Sequence, residues 1–378
     1  MKIVGIIAEY NPFHNGHKFH IEEAKRLTGA DAAVVVMSGN YVQRGDVAVF
    51  DKQTRARAAI AFGADLVIEL PTVCAAQSAE IFARSSVCLM DALNCVDYLA
   101  FGAEASDIGD ITEVAKFLSV ENDEFDGAIR AKLKTGISYA SARAEAVAEL
   151  CGAKQAEILQ EPNNILAVEY LKALYTLKSD IQPVLIKRRA VGHDDSNVCE
   201  NFASASLIRK KIKTEGLQSV EALVPTECIE LYKTAEFHTI EAVQVAILAN
   251  LRRMTPNDIA KIADVSEGLE NRISAFAKEY KTLDELIDAV KTKRYTHARM
   301  RRIMLHSYLG ITREDIMLPQ YLKILDFSPK GQEILNNLKR TKPALALAKN
   351  FRQIESADAV RMWQDELKFD SLYELCVR

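Results

Sequence analysis

The chain has 378 residues, of which 49% are hydrophobic and 26% are charged, a balance typical of an ordinary globular protein. Its formal net charge of -4 excludes a protein that attracts nucleic acid through its overall field, so any such contact needs a local basic patch. Seven cysteines occur without a CxxC pair, which argues against a zinc site or a disulfide framework. No signal-peptide pattern and no apolar run of membrane-spanning length is visible, so we expect a cytoplasmic protein without membrane contact.

Short runs rich in β-branched residues alternate with helical patterns in the first half of the chain. The runs cover residues 2–8, 32–37, 65–70, 96–102 and 182–187. Their near-continuous apolar character predicts strands that are buried on both faces. The helical patterns cover residues 15–28, 51–62, 77–93 and 164–177. This alternation predicts an α/β fold, a doubly wound parallel sheet with ligands at the carboxyl ends of its strands.

The β pattern fades after about residue 215. Amphipathic helical patterns follow, as in "TIEAVQVAILANLRRM" and "LDELIDAVKTKRY". We therefore predict two regions, an α/β region over 1–215 with a helical insertion at about 108–151, and a mainly helical region over 216–378. Within the second region, "MLPQYLKILDFSPKGQEILNNL" is less regular and is predicted only as mixed structure.

The stretch "EYNPFHNGH" directly follows the first predicted strand. Asn11-Pro12 breaks that strand, and a helix is expected to start near Gly16, so His14 and His17 share the face of its first turn. Gly16 lets a ligand approach the backbone, and the free N–H groups and positive end of a helix suit a phosphate. The pattern therefore predicts a site in which two imidazoles donate hydrogen bonds to a triphosphate while pyrophosphate departs.

Two other interpretations of this histidine pair stay open at this point. The imidazoles could bind a metal ion, although nothing nearby in the sequence completes a set of His and carboxylate ligands. They could also be two solvated histidines that cap the helix. We expect no metal site made by the protein.

The order strand, loop, "HNGH" and helix resembles the HxGH signature of the nucleotidyltransferase superfamily. Its Rossmann-like fold is shared with the HIGH-motif aminoacyl-tRNA synthetases. The strings "GIIAEYNPFHNGHKFHI" and "VMSGNYVQRGDVAVFDKQTRARAAIAFGADLVIELP" closely resemble the tRNA(Met) cytidine acetate ligase family, and matches continue through "FGAE", "EPNNILAVEYLKAL", "IKR", "SASLIR" and "RYTHARMRRI". The resemblance implies an enzyme that uses ATP to activate acetate as acetyl-adenylate. The acetyl group then passes to N4 of the wobble cytidine, C34, of elongator tRNA(Met), giving N4-acetylcytidine.

Such an enzyme needs a surface for the α-phosphate, stabilisation of pyrophosphate and an adenosine pocket, but no covalent nucleophile. His14 and His17 are the expected catalytic residues. The resemblance implies that the segment around them lines ATP: Ile7, Ala8, Glu9, Tyr10, Asn11, Pro12, Phe13, His14, Asn15, Gly16, His17, Lys18, Phe19 and His20. Gly102 follows the fourth predicted strand, where glycine permits close contact with ribose or base, unless it is a plain turn glycine.

"EPNNIL" and the end of the fifth predicted strand supply further candidates for ATP binding. Asn163 and Asn164 stand at a predicted helix start, so one of them is expected as the N-cap. The resemblance also brings this pair to the nucleotide, with Asn163 slightly favoured. Arg188 in "LIKRR" is well placed to bind a phosphate bidentately, or it is an exposed arginine at a strand end.

"FASASLIRKKI" resembles the second signature of the superfamily, where a helix start and an arginine hold the β and γ phosphates. Ser204, Ser206 and Arg209 are the matching positions, although Ala205 and Leu207 depart from the commoner form. A simple N-capping box is the alternative. Magnesium is expected from the chemistry of ATP rather than from ligand residues.

The polar segment 38–59 follows the second predicted strand and is rich in glycine at its start. A loop at the carboxyl edge of a sheet often builds a site. Acetate binding, cytidine recognition, closure over ATP and an ordinary surface loop with an arginine-rich helix all stay open for it.

Residues 291–303 carry six Lys or Arg side chains and no acid. Arg299, Arg302 and His306 recur at helical spacing, so one helix face is expected to be basic. An ordinary solvated face is the alternative, but next to an ATP-activating region we favour RNA backbone binding. The candidate tRNA-binding residues are Lys291, Lys293, Arg294, Arg299, Arg301 and Arg302.

Two other functions fit part of the sequence. A nucleotidyltransferase that acts on a small phosphorylated metabolite would also contain HxGH and "SASLIR", but it would not need the long helical region with its basic stretch. A non-catalytic RNA-binding protein with a nucleotide-binding fold is disfavoured because His14, Gly16, His17 and Arg209 are all present. No obligate protein partner is evident.

Overall fold

The computed structural model describes residues 1–105, 107–187, 201–266, 268–341, 343–348, 354 and 356–378. The strands in these ranges are β1 (Ile3–Ala8), β2 (Ala32–Ser38), β3 (Tyr41–Val42), β4 (Asp46–Val47), β5 (Leu66–Leu70), β6 (Tyr98–Ala103), β7 (Gln182–Lys187) and β8 (Ile324–Phe327). The helices of the first part are α1 (Asn15–Thr28), α2 (Lys52–Ala61), α3 (Thr72–Ala75), α4 (Ala79–Ala92), α5 (Ile108–Ser119), α6 (Asp123–Leu133), α7 (Tyr139–Leu150), α8 (Ala153–Ile158), α9 (Pro162–Leu177) and α10 (Ala205–Glu215). The later helices are α11 (Thr226–Thr234), α12 (Gln244–Arg253), α13 (Pro256–Ile259), α14 (Leu269–Phe276), α15 (Leu283–Val290), α16 (His297–Leu309), α17 (Pro329–Thr341) and α18 (Ala357–Tyr373).

The main sheet has the order β7-β6-β1-β2-β5-β8. β1 pairs in parallel with both β2 and β6, and β5 and β7 extend the sheet in parallel on either side. The chain thus runs outward from β1 in two directions, so the carboxyl end of β1 lies at the switch point where such sheets bind ligands. The predicted α/β fold with a doubly wound parallel sheet is confirmed, and the predicted strands and helices of this region are present with ends shifted by two residues at most.

Each strand near the centre of the sheet divides its side chains between two cores. On β2, Val34 and Val36 belong to one buried cluster, whereas Val35 and Met37 belong to the cluster on the opposite face. All four side chains are fully buried. This two-sided burial is the physical reason for an apolar run without alternation.

The edge strand β8 joins the sheet from the second half of the chain. It pairs antiparallel with β5, and it lies inside the stretch that we predicted only as mixed structure. A Cβ on Gly331, shortly after β8, would fall within 1.8 Å of the carbonyl oxygen of Asp65, so only glycine fits there. The predicted α/β region over 1–215 is therefore completed by residues beyond 215.

The helical insertion consists of α5, α6 and α7. A small apolar cluster, Ile129 with Ala142 and Ala146, joins α6 to α7, while Ile111 and Val114 of α5 belong to the main core. The mainly helical character of the later region is also as predicted: Ile247, Ile273 and Ile287 place α12, α14 and α15 in that same core.

None of the described helices is long and apolar enough to cross a membrane. The cysteines within the described residues are free, and Cys74, Cys228 and Cys376 are buried. Cys199 lies outside the described residues.

Candidate active site

The two histidines of "HNGH" lie together at the amino end of α1. Their rings stack with centroids 3.7 Å apart. His14 is the N-cap, and its Nδ1 accepts a hydrogen bond from the backbone N–H of Gly16 at 3.0 Å. In return, the backbone N–H of His14 donates to Nδ1 of His17 at 3.3 Å. His14 therefore caps the helix, as one interpretation had it, but it is 9% exposed and so is buried rather than solvated.

This capping geometry decides where the ring protons are. A nitrogen that accepts a hydrogen bond carries no proton, so the neutral rings of both His14 and His17 carry theirs on Nε2. Nε2–H is a hydrogen-bond donor, which is the role that phosphate oxygens require. Capping and phosphate binding are thus compatible, because they use opposite nitrogens of the same ring.

The backbone N–H groups of the first turn of α1, which we expected to be available to a phosphate, are hydrogen-bonded within the protein. Asn15 N–H donates to the carbonyl of Leu223 at 3.1 Å, Gly16 N–H is used by His14, and His17 N–H donates to the carbonyl of His14 at 2.9 Å. The prediction of free amides at this helix start is wrong in this conformation. What the turn presents is imidazole N–H rather than backbone N–H.

The loop between β1 and α1 is held by buried and half-buried side chains that donate hydrogen bonds to its carbonyl groups. The bonds run from Arg55 Nη1 to Glu9 at 2.6 Å, from Arg209 Nη1 to Asn11 at 2.8 Å and from Tyr232 OH to Phe13 at 3.0 Å. The donors come from α2, α10 and α11, so three helices fix one short loop. The Asn11-Pro12 peptide within it is cis.

Part of the expected ATP-lining segment lies inside the protein instead. Tyr10 is 1% exposed and Phe13 is fully buried, and both rings pack edge-on or tilted against His17. Asn11 is also buried, and its Oδ1 accepts from the backbone N–H of Val49 at 2.9 Å. These three side chains therefore support the histidines from behind. Lys18, with its ammonium 5.3 Å from the Phe62 ring centre, is partly exposed.

Gly102 is in β6, where it pairs with Ile186 of β7. It is the residue before Ala103, at which β6 ends, so it is at the carboxyl edge where we expected it. Because the described part of β7 ends at Lys187, the expected phosphate ligand Arg188 lies just outside the described residues.

The two asparagines of "EPNNIL" bind the loop after β6. Asn164 Oδ1 accepts from the backbone N–H groups of Glu104 at 3.0 Å and Ala105 at 2.9 Å, and Asn163 Nδ2 donates to the Glu104 carboxylate. The predicted N-cap role is wrong for both, since Glu161 occupies the N-cap and Pro162 the first helical position. Asn163 is the more exposed of the two.

The second signature begins α10. Ser204 is the N-cap and accepts from the backbone N–H of Leu207 at 3.2 Å. The serine therefore caps the helix, but a capping box does not form because the N3 residue is leucine. Ser206 Oγ lies 3.5 Å from Ser204 Oγ. Arg209 faces the loop before α1, and burial lowers the pKa of its guanidinium while Asp46 and Glu9 oppose that effect. The residue stays charged, because arginine is not deprotonated in proteins.

Asp46 is a residue of this neighbourhood that sequence reasoning did not single out as a ligand. Burial raises the pKa of its carboxyl, although Arg209 and Arg301 act in the opposite direction. Its Oδ2 lies 3.7 Å from Nη1 of Arg301. Asp46 therefore lies between Arg209 of α10 and Arg301 of α16. The only signal in the sequence was its place in the polar segment 38–59.

Segment 38–59 is an ordered part of the site rather than a plain surface loop. Its β3–β4 hairpin is bonded to the first loop, since Gln43 N–H donates to Glu9 Oε1 at 2.8 Å. Arg55, predicted as part of an arginine-rich helix, is fully buried and also binds the carbonyl of Ser38 at 3.1 Å.

The basic stretch divides into exposed and buried cations. Lys291, Lys293 and Arg294 are exposed. Arg299 and Arg301 are half-buried, with Arg299 Nη2 donating to the carbonyl of Asp264 at 2.8 Å.

The predicted basic face through Arg299, Arg302 and His306 is wrong. Arg302 is 7% exposed and donates to the Asp264 carboxylate at 2.5 Å, and His306 is fully buried between the carbonyl oxygens of Ala76 and Ala263. Burial also lowers the pKa of His306. The exposed charge is instead at 291–294, before α16 begins.

The described residues include no group of three or more His, Cys, Asp or Glu side chains that could hold a metal ion. Of the carboxylates near the first loop, Glu104 is bonded to Asn163 and Asn164 and Glu9 to Gln43.

Comparison with known proteins places this arrangement in a family. The model of the HIGH nucleotidyl transferase family matches residues 1–378. The tRNA(Met) cytidine acetate ligase of Acetivibrio thermocellus is 37% identical over 100% of this chain and 96% of its own length, and that of Thermoanaerobacter sp. is 38% identical with the same coverage.

Comparison with solved structures supports the same family. The apo structure of Thermotoga maritima TmcAL matches with a TM-score of 0.95 and 32% identity, covering 100% of this chain and 96% of that one. The same protein bound with alpha-thio ATP matches with a TM-score of 0.92, covering 95% of that chain. The chain therefore belongs to the HIGH nucleotidyl transferase family, and within it to the group that contains the tRNA(Met) cytidine acetate ligases.

Proposed function

We propose that this protein is an ATP-dependent ligase that acetylates N4 of the wobble cytidine, C34, of elongator tRNA(Met). In the first step a carboxylate oxygen of acetate attacks the α-phosphorus of ATP, and pyrophosphate leaves. In the second step the cytidine amine attacks the acetyl carbon, AMP leaves, and N4 gives up a proton. The products are N4-acetylcytidine, AMP and pyrophosphate.

The observation that carries this proposal is the stacked His14–His17 pair at the switch point of the sheet. Both neutral rings carry an Nε2–H donor, and preorganised donors of this kind stabilise the charge that develops on phosphate oxygens. The full-length similarity to proteins named tRNA(Met) cytidine acetate ligase, and to a TmcAL that binds alpha-thio ATP, supports acetate, ATP and tRNA(Met) as the substrates.

We assign the other candidate residues by where they lie. Arg209, with its charge at the first loop, is proposed to bind the β and γ phosphates together with Ser206. Gly102 and Asn163, at the carboxyl edge of β6 and the start of α9, are proposed to contact adenosine. Asn164 supports this edge through its bonds to the loop after β6.

Magnesium fits this site as a partner of the ATP phosphates rather than as an ion held by protein carboxylates. Glu9 and Glu104 each bind neighbouring donors, and Mg²⁺ commonly reaches such sites bound to substrate phosphates with few protein ligands. Its contribution when bound would be to neutralise phosphate charge.

One experiment tests the function directly. The purified protein is incubated with ATP, labelled acetate and unmodified tRNA(Met), and the tRNA is digested to nucleosides. We expect labelled N4-acetylcytidine, and we expect acetyl-adenylate from ATP and acetate without tRNA. Product formation from acetyl-CoA in place of acetate and ATP, or no acetylcytidine at all, would contradict the proposal.

A parallel incubation with a small phosphorylated metabolite as the acceptor distinguishes the alternative transferase. A nucleotide-linked product in that reaction would favour it. A protein that binds tRNA but turns over neither substrate would be a non-catalytic RNA-binding protein.

A further inference from the structure

An open cleft of about 410 Å³ is formed by two parts of the chain that are distant in sequence. One part is the turn between α6 and α7 of the helical insertion, and the other comprises the start of α14 and the segment before α16. We call it the basic cleft, and its lining residues are Gly136, Gly268, Leu269, Arg272, Thr292, Lys293, Arg294 and Tyr295. None of them belongs to the first loop or to α10.

The charged side chains among the described lining residues of the basic cleft are all positive: Arg272, Lys293 and Arg294. Glu270 lies in the first turn of α14, but it is not one of these lining residues. Lys293 and Arg294 are exposed, so their charges are available to a ligand. Arg272 donates to the carbonyl of Val290 at 2.9 Å, which fixes its guanidinium in the wall. Positive charge on walls that also include Leu269 and Tyr295 attracts anions strongly.

The amino end of α14 also lines the basic cleft. Gly268 is its N-cap and, as a glycine, has no side chain with which to cap this end. By contrast, Thr282 caps α15 and Thr296 caps α16. The positive end of the α14 dipole therefore adds to the charge of the surrounding cations.

The helical insertion forms the opposite wall. A Cβ placed on Gly136 would lie 4.0 Å from Nη2 of Arg294, so the arginine reaches across to the insertion. Lys134, two residues earlier in the same turn, is exposed. Tyr139, three residues beyond Gly136, is 55% exposed, and an exposed aromatic ring can stack on an unpaired base.

We propose that the basic cleft binds the phosphodiester backbone of the RNA substrate, with the helical insertion as one wall of the binding site. This inference rests on the proposed function for the identity of the RNA. The cleft is open, and the exposed Lys291 continues its charge along the surface. A polyanion that extends beyond the cleft suits this layout better than a small phosphate enclosed by protein.

The test uses full-length variants with one wall changed at a time. Lys134→Glu changes the insertion wall, and Lys293→Glu combined with Arg294→Glu changes the opposite wall. Lys2→Glu is the matched control. Lys2 is an exposed lysine at the amino end of β1, whereas the first loop follows the carboxyl end of that strand. Affinity for an unmodified tRNA(Met) transcript is measured at several salt concentrations, together with acetate-dependent exchange of pyrophosphate into ATP without tRNA.

We expect each wall variant to bind the transcript about tenfold more weakly, with the slope of the salt dependence reduced by about one unit for each phosphate that the variant no longer binds. The exchange reaction and the control should match the wild type. If the variant with both Lys293→Glu and Arg294→Glu bound the transcript with wild-type affinity and wild-type salt dependence, the proposal would be overturned. If only Lys134→Glu bound it as the wild type does, the helical insertion would not be part of the RNA-binding site. A lack of acetylcytidine formation by the wild type would contradict the proposed function, whereas reduced transcript binding by the variants would still support the cleft.

Discussion

The carboxylate of Asp370, on the last helix, accepts a hydrogen bond from Nζ of Lys52 at 2.7 Å, although 318 positions separate them in the chain. Lys52 also donates to Glu69 at 2.6 Å and is 2% exposed. Burial lowers the pKa of Lys52, but the carboxylates of Glu69 and Asp370 outweigh it and raise the pKa above its ordinary value. The last helix thus supplies a counter-charge to a buried lysine at the start of α2.

The same helix holds the segment that supports the histidine loop. Tyr41 OH donates to the carbonyl of Phe369 at 3.0 Å, and Tyr373 OH donates to the carbonyl of Ala48 at 2.7 Å. In the same segment 38–59, the backbone N–H groups of Gln43 and Val49 donate to the side chains of Glu9 and Asn11. α18 therefore acts on the first loop through one intermediate segment.

Replacing Asp370 with asparagine should weaken both the fold and the ATP site. We expect a loss of about 1–3 kcal/mol in the free energy of unfolding, because a buried ammonium loses one of its counter-charges. ATP affinity should fall with it, since the loop that positions His14 is less restrained. Chemical denaturation and calorimetric titration with ATP measure the two effects.

Glu374→Gln is the control for this substitution, because Glu374 is exposed just beyond α18. It should leave stability and ATP affinity unchanged. If Asp370→Asn weakened the fold but bound ATP as the wild type does, α18 would have a stabilising role alone.

Gly45→Ala should separate the hairpin of segment 38–59 from α16. Gly45 has φ of 76°, and an added Cβ would lie 2.3 Å from the backbone nitrogen of Arg302. We expect a cost of about 2–4 kcal/mol from backbone strain and overpacking combined, seen as a lower midpoint of denaturation.

Gly127→Ala provides the comparison. Gly127 is inside α6, and beyond its chain neighbours and its own helix backbone no described atom lies within 4 Å of an added Cβ. Alanine there should stabilise the protein by about 0.5–1 kcal/mol. Equal effects of the two substitutions would show that the hairpin is not packed against α16 as described.

His17→Ala removes one of the two imidazole donors proposed for the triphosphate. Acetate-dependent exchange of pyrophosphate into ATP should fall about 100- to 1000-fold, as when one preorganised donor is lost. His297→Ala, in the partly exposed first turn of α16, should leave the exchange unchanged. Wild-type exchange in His17→Ala would disprove a phosphate role for this ring.

Glu366 predicts a pH dependence of stability. Burial, followed by the negative charges of Glu69 and Asp370, raises the pKa of Glu366 to about 8. The positive charges of Lys52 and Lys323 lower this pKa but do not outweigh the increase. Thr72 donates to the carboxyl through its N–H and its hydroxyl. Between the ordinary value of about 4.5 and this raised value, the folded state keeps a proton that the unfolded state has lost.

The stability contributed by Glu366 is therefore complete below about pH 4.5 and is lost as the pH rises through about 8. Glu366→Gln mimics the protonated acid, so it should remove this decline, which is at most about 1.4 kcal/mol per pH unit for one proton. Urea denaturation of both proteins from pH 5 to pH 8 measures the difference. Parallel curves would mean that Glu366 titrates near its ordinary pKa.

Local sequence patterns were sufficient to predict contacts between residues that are close together in the chain. Two histidines three positions apart at a helix start must share a face, so the contact between His14 and His17 follows from spacing. What spacing does not show is the partner of each backbone amide, and the first-turn N–H groups are occupied by Leu223 and by His14 itself.

Long-range partners account for the predictions that were wrong. Arg302 and His306 look like members of a basic face by their spacing, but Asp264 and the carbonyl of Ala76 bind them inside the protein. Arg55 likewise looks like a surface arginine by its spacing, but the carbonyl groups of Glu9 in the first loop and of Ser38 at the end of β2 bind it inside the protein. A cation is buried or exposed according to which acceptors the fold brings near it, and those acceptors are distant in sequence.

The sequence by itself determined the α/β alternation, the parallel sheet and the histidine pair, because side-chain periodicity and helix-start chemistry depend on residues a few positions apart. Only the tertiary structure decided that β8 completes the sheet, that Asp370 reaches Lys52, and that the insertion faces Arg294 across a basic cleft. Each of these pairings joins segments that are far apart in the chain, and it depends on how whole faces pack against each other.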